Sequence, residues 1–196
     1  GEGKDVRDWA AGRGYDLGAN VGSGGGVDHP VHTVSWFDAV KWCNAKSERE
    51  GLGPVYFVDG VILKRGHPGA GQIIARSGEA GFRLPTEAEW ELAARGGGKS
   101  GGYKFSGSND LEQVGWHSKN SDGAPKPVGM KAPNELGLHD MSGNVAEWCW
   151  DTANTGRRLR GGGWNYGVGS AAVAGRDDSD LPDYRYFGIG LRVVRS

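Results

Sequence analysis

Glycine constrains this chain more than any other residue. It fills 37 of 196 positions, about 19%, where an ordinary soluble chain carries about 7%. Each glycine inside a helix costs about 1 kcal/mol relative to alanine, so a mostly helical fold is excluded. No Gly-X-Y period runs through the chain and only 8 residues are proline, which excludes a collagen helix. The 8 tryptophans are spread from Trp9 to Trp164 and hydrophobic residues make up 37%, so a disordered linker is excluded too. What remains is a loop-rich globular protein anchored by large aromatics.

At this length one domain spanning 1–196 is expected, with a loosely structured lead-in over 1–30. The net charge is −1, which steers the chain toward neither nucleic acid nor a membrane surface. No apolar run approaches the ~20 residues that span a bilayer. Gly1 to Asp5 do not read as a signal peptide. Cys43 and Cys149 are too few for a disulfide framework; one bridge or two buried thiols are both open.

Local patterns place two helices in the first half. Ser35 caps the first, with Asp38 three residues on, and Gly51 ends it. Trp36, Val40 and Cys43 share its apolar face. Thr86 and Glu89 form a second capping pair, and that helix stops at Gly96–Gly98. Between them, Val55–Val58 and Val61–Leu63 flank Asp59-Gly60, a hairpin signature. After residue 99 no helix is expected, and Leu191–Val194 reads as a terminal strand. Gly96–Ser100 is no phosphate loop, because it follows a helix and Ala93 stands where that motif needs glycine. The five histidines show no metal-ligand spacing, so no zinc site is expected.

Five blocks, in order, are Val34–Val40, Gly81–Glu91, Met141–Trp148, Arg160–Trp164 and Gly190–Val194. Together they resemble the formylglycine-generating-enzyme, or sulfatase-modifying-factor, family over residues 30–196. The resemblance implies an α+β, C-type-lectin-like fold with two helices, small twisted antiparallel sheets and much irregular loop. The family's oxidases carry two copper-binding cysteines after the Arg-Gly-Gly-x-Trp block. Here those positions fall on Tyr166 and about Ala171, and no cysteine follows Cys149. That oxidation then has no thiol to run on, and no copper is expected.

The resemblance also implies a structural calcium. Its ligands are the Asp140 and Glu147 side chains with the Gly143 and Val145 carbonyls, oxygen donors of the kind calcium takes. The alternative for Glu147 is a metal-free turn cap. A second family calcium site has no counterpart around Glu112–Trp116.

The segment Asn165–Ile189 holds no lysine, glutamate or cysteine and is rich in tyrosine, serine, glycine and aspartate. That is the palette of antibody binding loops. The layout is similar to the variable proteins of diversity-generating retroelements, which use the same scaffold and the same flanking blocks. It implies a surface-displayed lipoprotein, monomeric and non-catalytic, whose segment 164–194 binds protein or cell-surface ligands. The candidate contacts are Tyr166, Gly167, Gly169, Ser170, Gly175, Asp177, Asp178, Ser179, Tyr184, Tyr186, Phe187 and Gly188. The aromatic ones anchor; Ser170, Asp177, Asp178 and Ser179 supply polar contacts. Arg176 and Arg185 are expected to pair with some of Asp177, Asp178, Asp180 and Asp183, and Trp36, Trp42, Trp90, Trp116, Trp148, Trp150 and Trp164 to fill the core. The alternative is an oxidase or sulfatase-modifying enzyme of the same fold.

Overall fold

The computed structural model describes residues 2–18, 20–176 and 179–196. The two capping pairs set the two main helices. In α2 (Trp36–Arg49), Ser35 Oγ accepts from the Asp38 amide and the Asp38 carboxylate accepts from the Ser35 amide. In α3 (Glu87–Ala94), Thr86 and Glu89 do the same. Trp36, Val40 and Cys43 are buried on one face of α2, as the spacing predicts.

The first thirty residues depart from expectation. Glu2–Ala11 form a helix, α1, rather than a loose lead-in. Val6 and Ala10 lie four apart, hence on one face, and are fully buried with Tyr15, Leu17 and Ala45. The glycines that hide this helix in the sequence stand at its two ends, Gly3 and Gly12, where their entropy cost weighs least. Glu2 is ion-paired with Lys46 of α2. A one-turn helix, α4 (Leu111–Val114), capped by Asp110, is a second element the sequence pattern does not announce.

The hairpin forms where expected. β1 (Tyr56–Val58) pairs with β2 (Val61–Ile62) across Asp59 and Gly60, both at positive φ, and β3 (Ile74–Ala75) joins the other side. The largest sheet is built on β5 (Ala146–Ala153). β6 (Gly156–Arg160) pairs antiparallel to it and β8 (Ile189–Leu191) parallel to it. β7 (Ser179–Asp180) lies at the edge beyond β6. The expected single strand at 191–194 is two strands. β8 ends at Leu191, and β9 (Val194–Arg195) pairs with β4 (Phe82–Arg83). Arg192 stands at the break, and its guanidinium is held by Glu147.

The core explains the tryptophans. Trp36, Trp90 and Trp148 are fully buried and each indole N–H has an acceptor: the Cys149 carbonyl, Glu147 Oε2 and the Val34 carbonyl. Cys43 and Cys149 are both buried free thiols, which closes the question of a bridge. Beside Trp90, the buried Arg160 guanidinium joins β6 to Glu87 and Glu91 of α3.

Candidate functional site

After Trp164 the chain leaves the large sheet and rejoins it at Ile189. Over this excursion its backbone bonds repeatedly to groups outside itself. The Trp164 amide donates to the Asn144 carbonyl at 2.7 Å, and the Tyr166 carbonyl accepts from the Ser118 amide at 3.1 Å. The Ala171 carbonyl accepts from Ser142 Oγ at 2.8 Å and the Val173 carbonyl from Arg160 at 2.6 Å. The Pro182 and Tyr186 carbonyls accept from the amides of Phe37 and Thr33, and the Gly188 carbonyl from that of Ala146. The scaffold thus satisfies these backbone groups and fixes the path, leaving outward side chains outside the bookkeeping.

Two ion pairs add to this, and they correct the sequence reading. Arg185 binds Asp38 at 2.6 and 2.9 Å, and Arg176 binds Glu91 at 2.9 Å; among the described residues, which exclude Asp177 and Asp178, neither cation pairs with an acid of its own segment. The reason is desolvation. Asp38 is only 1% exposed on α2, and a buried carboxylate needs a cation more than a solvated one does. Burial opposes its charge, but Arg185 and Ser35 together hold the Asp38 carboxyl below its ordinary range. One carboxylate therefore caps a helix and fastens a loop.

The segment's aromatic side chains form a continuous strip. Tyr184 and Tyr186 stack with centroids 6.0 Å apart, Phe187 lies 4.0 Å from Tyr186, and Trp164 lies 5.4 Å from Phe187. Tyr184 is 42% and Phe187 45% exposed, so both offer apolar area to a partner. Tyr186 is half-buried against the main core, and its hydroxyl accepts from Asn165 at 2.9 Å. Trp164 was assigned to the core by its sequence block, yet it is half-buried at the end of the strip. Val168 and Leu181 are further exposed apolar residues that the candidate set lacks. The available signal is a large apolar residue inside an otherwise polar, glycine-rich segment.

The other candidates divide. Tyr166 is half-buried over Gly163, Gly167 and Gly169 are exposed, and Ser170 is half-buried in the short 3-10 helix Val168–Ala171. Gly175 precedes Arg176, and Ser179 sits in β7, across the sheet from β8. Asp177 and Asp178 lie outside the described residues. Gly188 is no contact position: it is buried, and a Cβ there would stand 2.6 Å from Asn165 Oδ1.

No thiol lines this surface among the described residues. Ala171, at the second oxidase position, is buried with Phe105, Leu111 and Val114. Burial pushes the Cys43 and Cys149 thiols well above the ordinary cysteine range, away from the reactive thiolate. The expected calcium ligands are mixed. Asp140 Oδ2 accepts from the Gly129 amide, but Oδ1 is buried without a partner; burial pushes this carboxyl up, aided by Glu147 nearby. Asp140 thus fits a cation. Glu147 does not as placed, since Arg192 and Trp90 occupy both its oxygens. Among the described residues no three His, Cys, Asp or Glu side chains gather into a metal cluster.

Residues 5–196 match the model of the sulfatase-modifying factor enzyme 1-like domain. The chain is 38% identical to the chaperone protein LppX of Paenibacillus barcinonensis, over 92% of this chain and 74% of that one. It is 33% identical to the formylglycine-generating enzyme of Thermomonospora curvata, over 73% of this chain but only 41% of the enzyme. Among solved structures, Treponema denticola variable protein 1 superposes with a TM-score of 0.78 at 31% identity. That match covers 96% of this chain and 80% of the other. CarF superposes with a TM-score of 0.85 at 32% identity, covering 99% and 82%.

Proposed function

We propose that this chain, which belongs to the sulfatase-modifying factor enzyme 1-like family and has its C-type-lectin-like fold, is a non-catalytic binding protein. In this reading the segment 164–188 is a display surface whose residues are exchanged by a diversity-generating retroelement. The observation that carries it is the strip Tyr184–Tyr186–Phe187–Trp164 on a backbone bonded to the scaffold along its length. Exposed aromatics bring contact area at low rotamer cost, and a fixed backbone removes most of the ordering cost of binding. The likeness to a variable protein supports the reading. A partner that is itself a protein, or a cell surface, suits a broad strip better than a small molecule does, and one relative is named a chaperone. Display of this kind places the chain at the cell surface; no described helix is long and apolar enough to cross a membrane.

The enzyme reading rests on the formylglycine-generating relatives. It needs a thiol at Tyr166 or Ala171, and the segment has none. A structural calcium belongs to the proposal at Asp140, with the Gly143 and Val145 carbonyls and a Glu147 released from Arg192. Chelator should then lower the melting temperature, and an unchanged melt removes the ion.

The test is genetic. The coding DNA for 165–190 should have a near-repeat beside a reverse-transcriptase gene, differing from it at template adenines. Isolates should vary at Tyr166, Tyr184 and Phe187 and keep Gly162 and Gly188. Absence of a repeat, together with an invariant segment across isolates, overturns the proposal.

A further inference from the structure

The aromatic strip has a charge character that follows from where the segment's cations point. Residues 164–188 include four aspartates against two arginines, and no lysine or histidine. Both arginines turn to the scaffold. Arg176 binds Glu91 on α3, and Arg185 binds Asp38 on α2, with the charge of Asp16 also acting on it. Asp183 stands next to Tyr184, is exposed, and makes no ion pair among the described residues.

Elsewhere the chain sets cations over its aromatic rings. Arg76 lies 3.6 Å from the ring centroid of Phe57, Arg157 3.9 Å from that of Trp36 and Lys131 4.2 Å from that of Trp116. Among the described residues no cation stands over Trp164, Tyr184, Tyr186 or Phe187. Arg185 lies between two of these rings in the sequence, yet its guanidinium is spent on Asp38. The face of an aromatic ring is negative and attracts a cation, above all a guanidinium, which can lie flat against it. The strip thus offers electron-rich faces beside an exposed carboxylate, with no described cation of the chain laid on them.

We propose, resting on the reading of this segment as a display surface, that its present residues select an arginine-bearing protein segment laid in extended conformation along the strip. Residues two apart in an extended chain lie about 6.6 Å from each other. That is close to the 6.0 Å step from Tyr184 to Tyr186 and the 5.4 Å step from Phe187 to Trp164. Alternate arginines can therefore lie on successive rings while one of them pairs with Asp183. Removing the charge from the same side chains leaves their shape and takes away most of the attraction.

The probe is the labelled peptide Gly-Arg-Gly-Arg-Gly-Arg, titrated into the full chain and followed by fluorescence anisotropy. Its control is the same peptide with citrulline at each arginine, which keeps the planar side chain but not the charge. The arginine peptide should bind saturably and about tenfold or more tighter than the citrulline one. Tyr184→Ala combined with Phe187→Ala should weaken it about tenfold, and Asp183→Asn about threefold. Equal binding of the two peptides, or no saturable binding up to millimolar arginine peptide, overturns the proposal. Binding unchanged by both the double substitution and Asp183→Asn places the cations elsewhere and overturns it equally. Asp183 is exposed, so its substitution tests the contact even where loss of the rings perturbs folding. The display reading fails separately. A template repeat in the DNA with no preference for arginine removes only this partner, whereas arginine binding without a repeat removes the retroelement and keeps the site.

Discussion

Gly162 and Gly167 stand five residues apart in one glycine-rich run and do opposite work. Gly162 has φ 63°, and a Cβ there would lie 2.8 Å from the Ser170 carbonyl carbon. Gly167 has φ −72° and a Cβ there would meet nothing within 4 Å. The first lets two backbones approach; the second occupies open space on the surface. The same contrast separates the strands around β5, where side chains are consumed by packing, from the 164–188 segment, where the backbone is consumed and outward side chains are not. A region can be rigid and still be free to change its outward residues, provided the backbone and a few inward side chains such as Arg185 carry its attachments.

That contrast can be broken at several points. Gly162→Ala should cost about 3 kcal/mol or more, since it adds a clash to a left-handed backbone, and denaturant unfolding would read it. If stability holds, the close approach is not needed and the contrast fails. Arg160→Ala should cost about 2–5 kcal/mol by emptying a fully buried site beside Trp90 and removing one of the cations that hold Glu87 and Glu91. The same network sets an acid limit. Burial opposes the Glu91 charge, but hydrogen bonds from Arg160, Arg95 and Arg176 outweigh it and hold the carboxyl at about 2, against 4.5 for a free one. A depressed carboxyl stabilises the fold fully above 4.5. Stability should therefore fall as pH drops from about 4.5 toward 2, and Glu91→Gln should flatten that part of the profile.

Smaller effects sharpen the picture. Asp38→Asn should cost about 1–2 kcal/mol, reduced because Arg185 is partly exposed, and should speed amide exchange in the loop around Arg185. A loop whose exchange does not change would mean that the ion pair does not fasten it. The pair Tyr184→Ala and Phe187→Ala should change stability by less than about 1 kcal/mol, with Gly167→Ala within about 0.5 kcal/mol. Tyr186→Ala should cost more than either, because its ring packs on the core. A large loss from Tyr184 or Phe187 would assign the strip to the core and leave no display surface.

Much of the scaffold was legible because its signals are local. Ser35 with Asp38 and Thr86 with Glu89 are three residues apart, and Asp59-Gly60 is a turn written in two letters. The composition of 165–189 marked the segment that carries the aromatic strip. The lead-in helix was not legible, since its stabilising face is only Val6 and Ala10 and depends on α2 to bury it. Trp164 was misplaced because its sequence block belongs to the scaffold while its ring faces the segment. Gly188 was misplaced for the converse reason: it lies among surface positions, but its neighbour Asn165 is 23 positions away.

The sequence by itself determined the helices at 36 and 87, the hairpin, the tryptophan core, and a terminal segment of binding-loop composition. These follow from periodicity, capping chemistry and residue type over a few positions. Only the tertiary structure decided which glycines are required, which acids hold Arg176 and Arg185, and which tyrosine faces out. Those answers depend on burial, and burial is set by partners as distant as Asp38 and Arg185, 147 residues apart. It also divided the described glycines into backbones that touch and positions with open space around them.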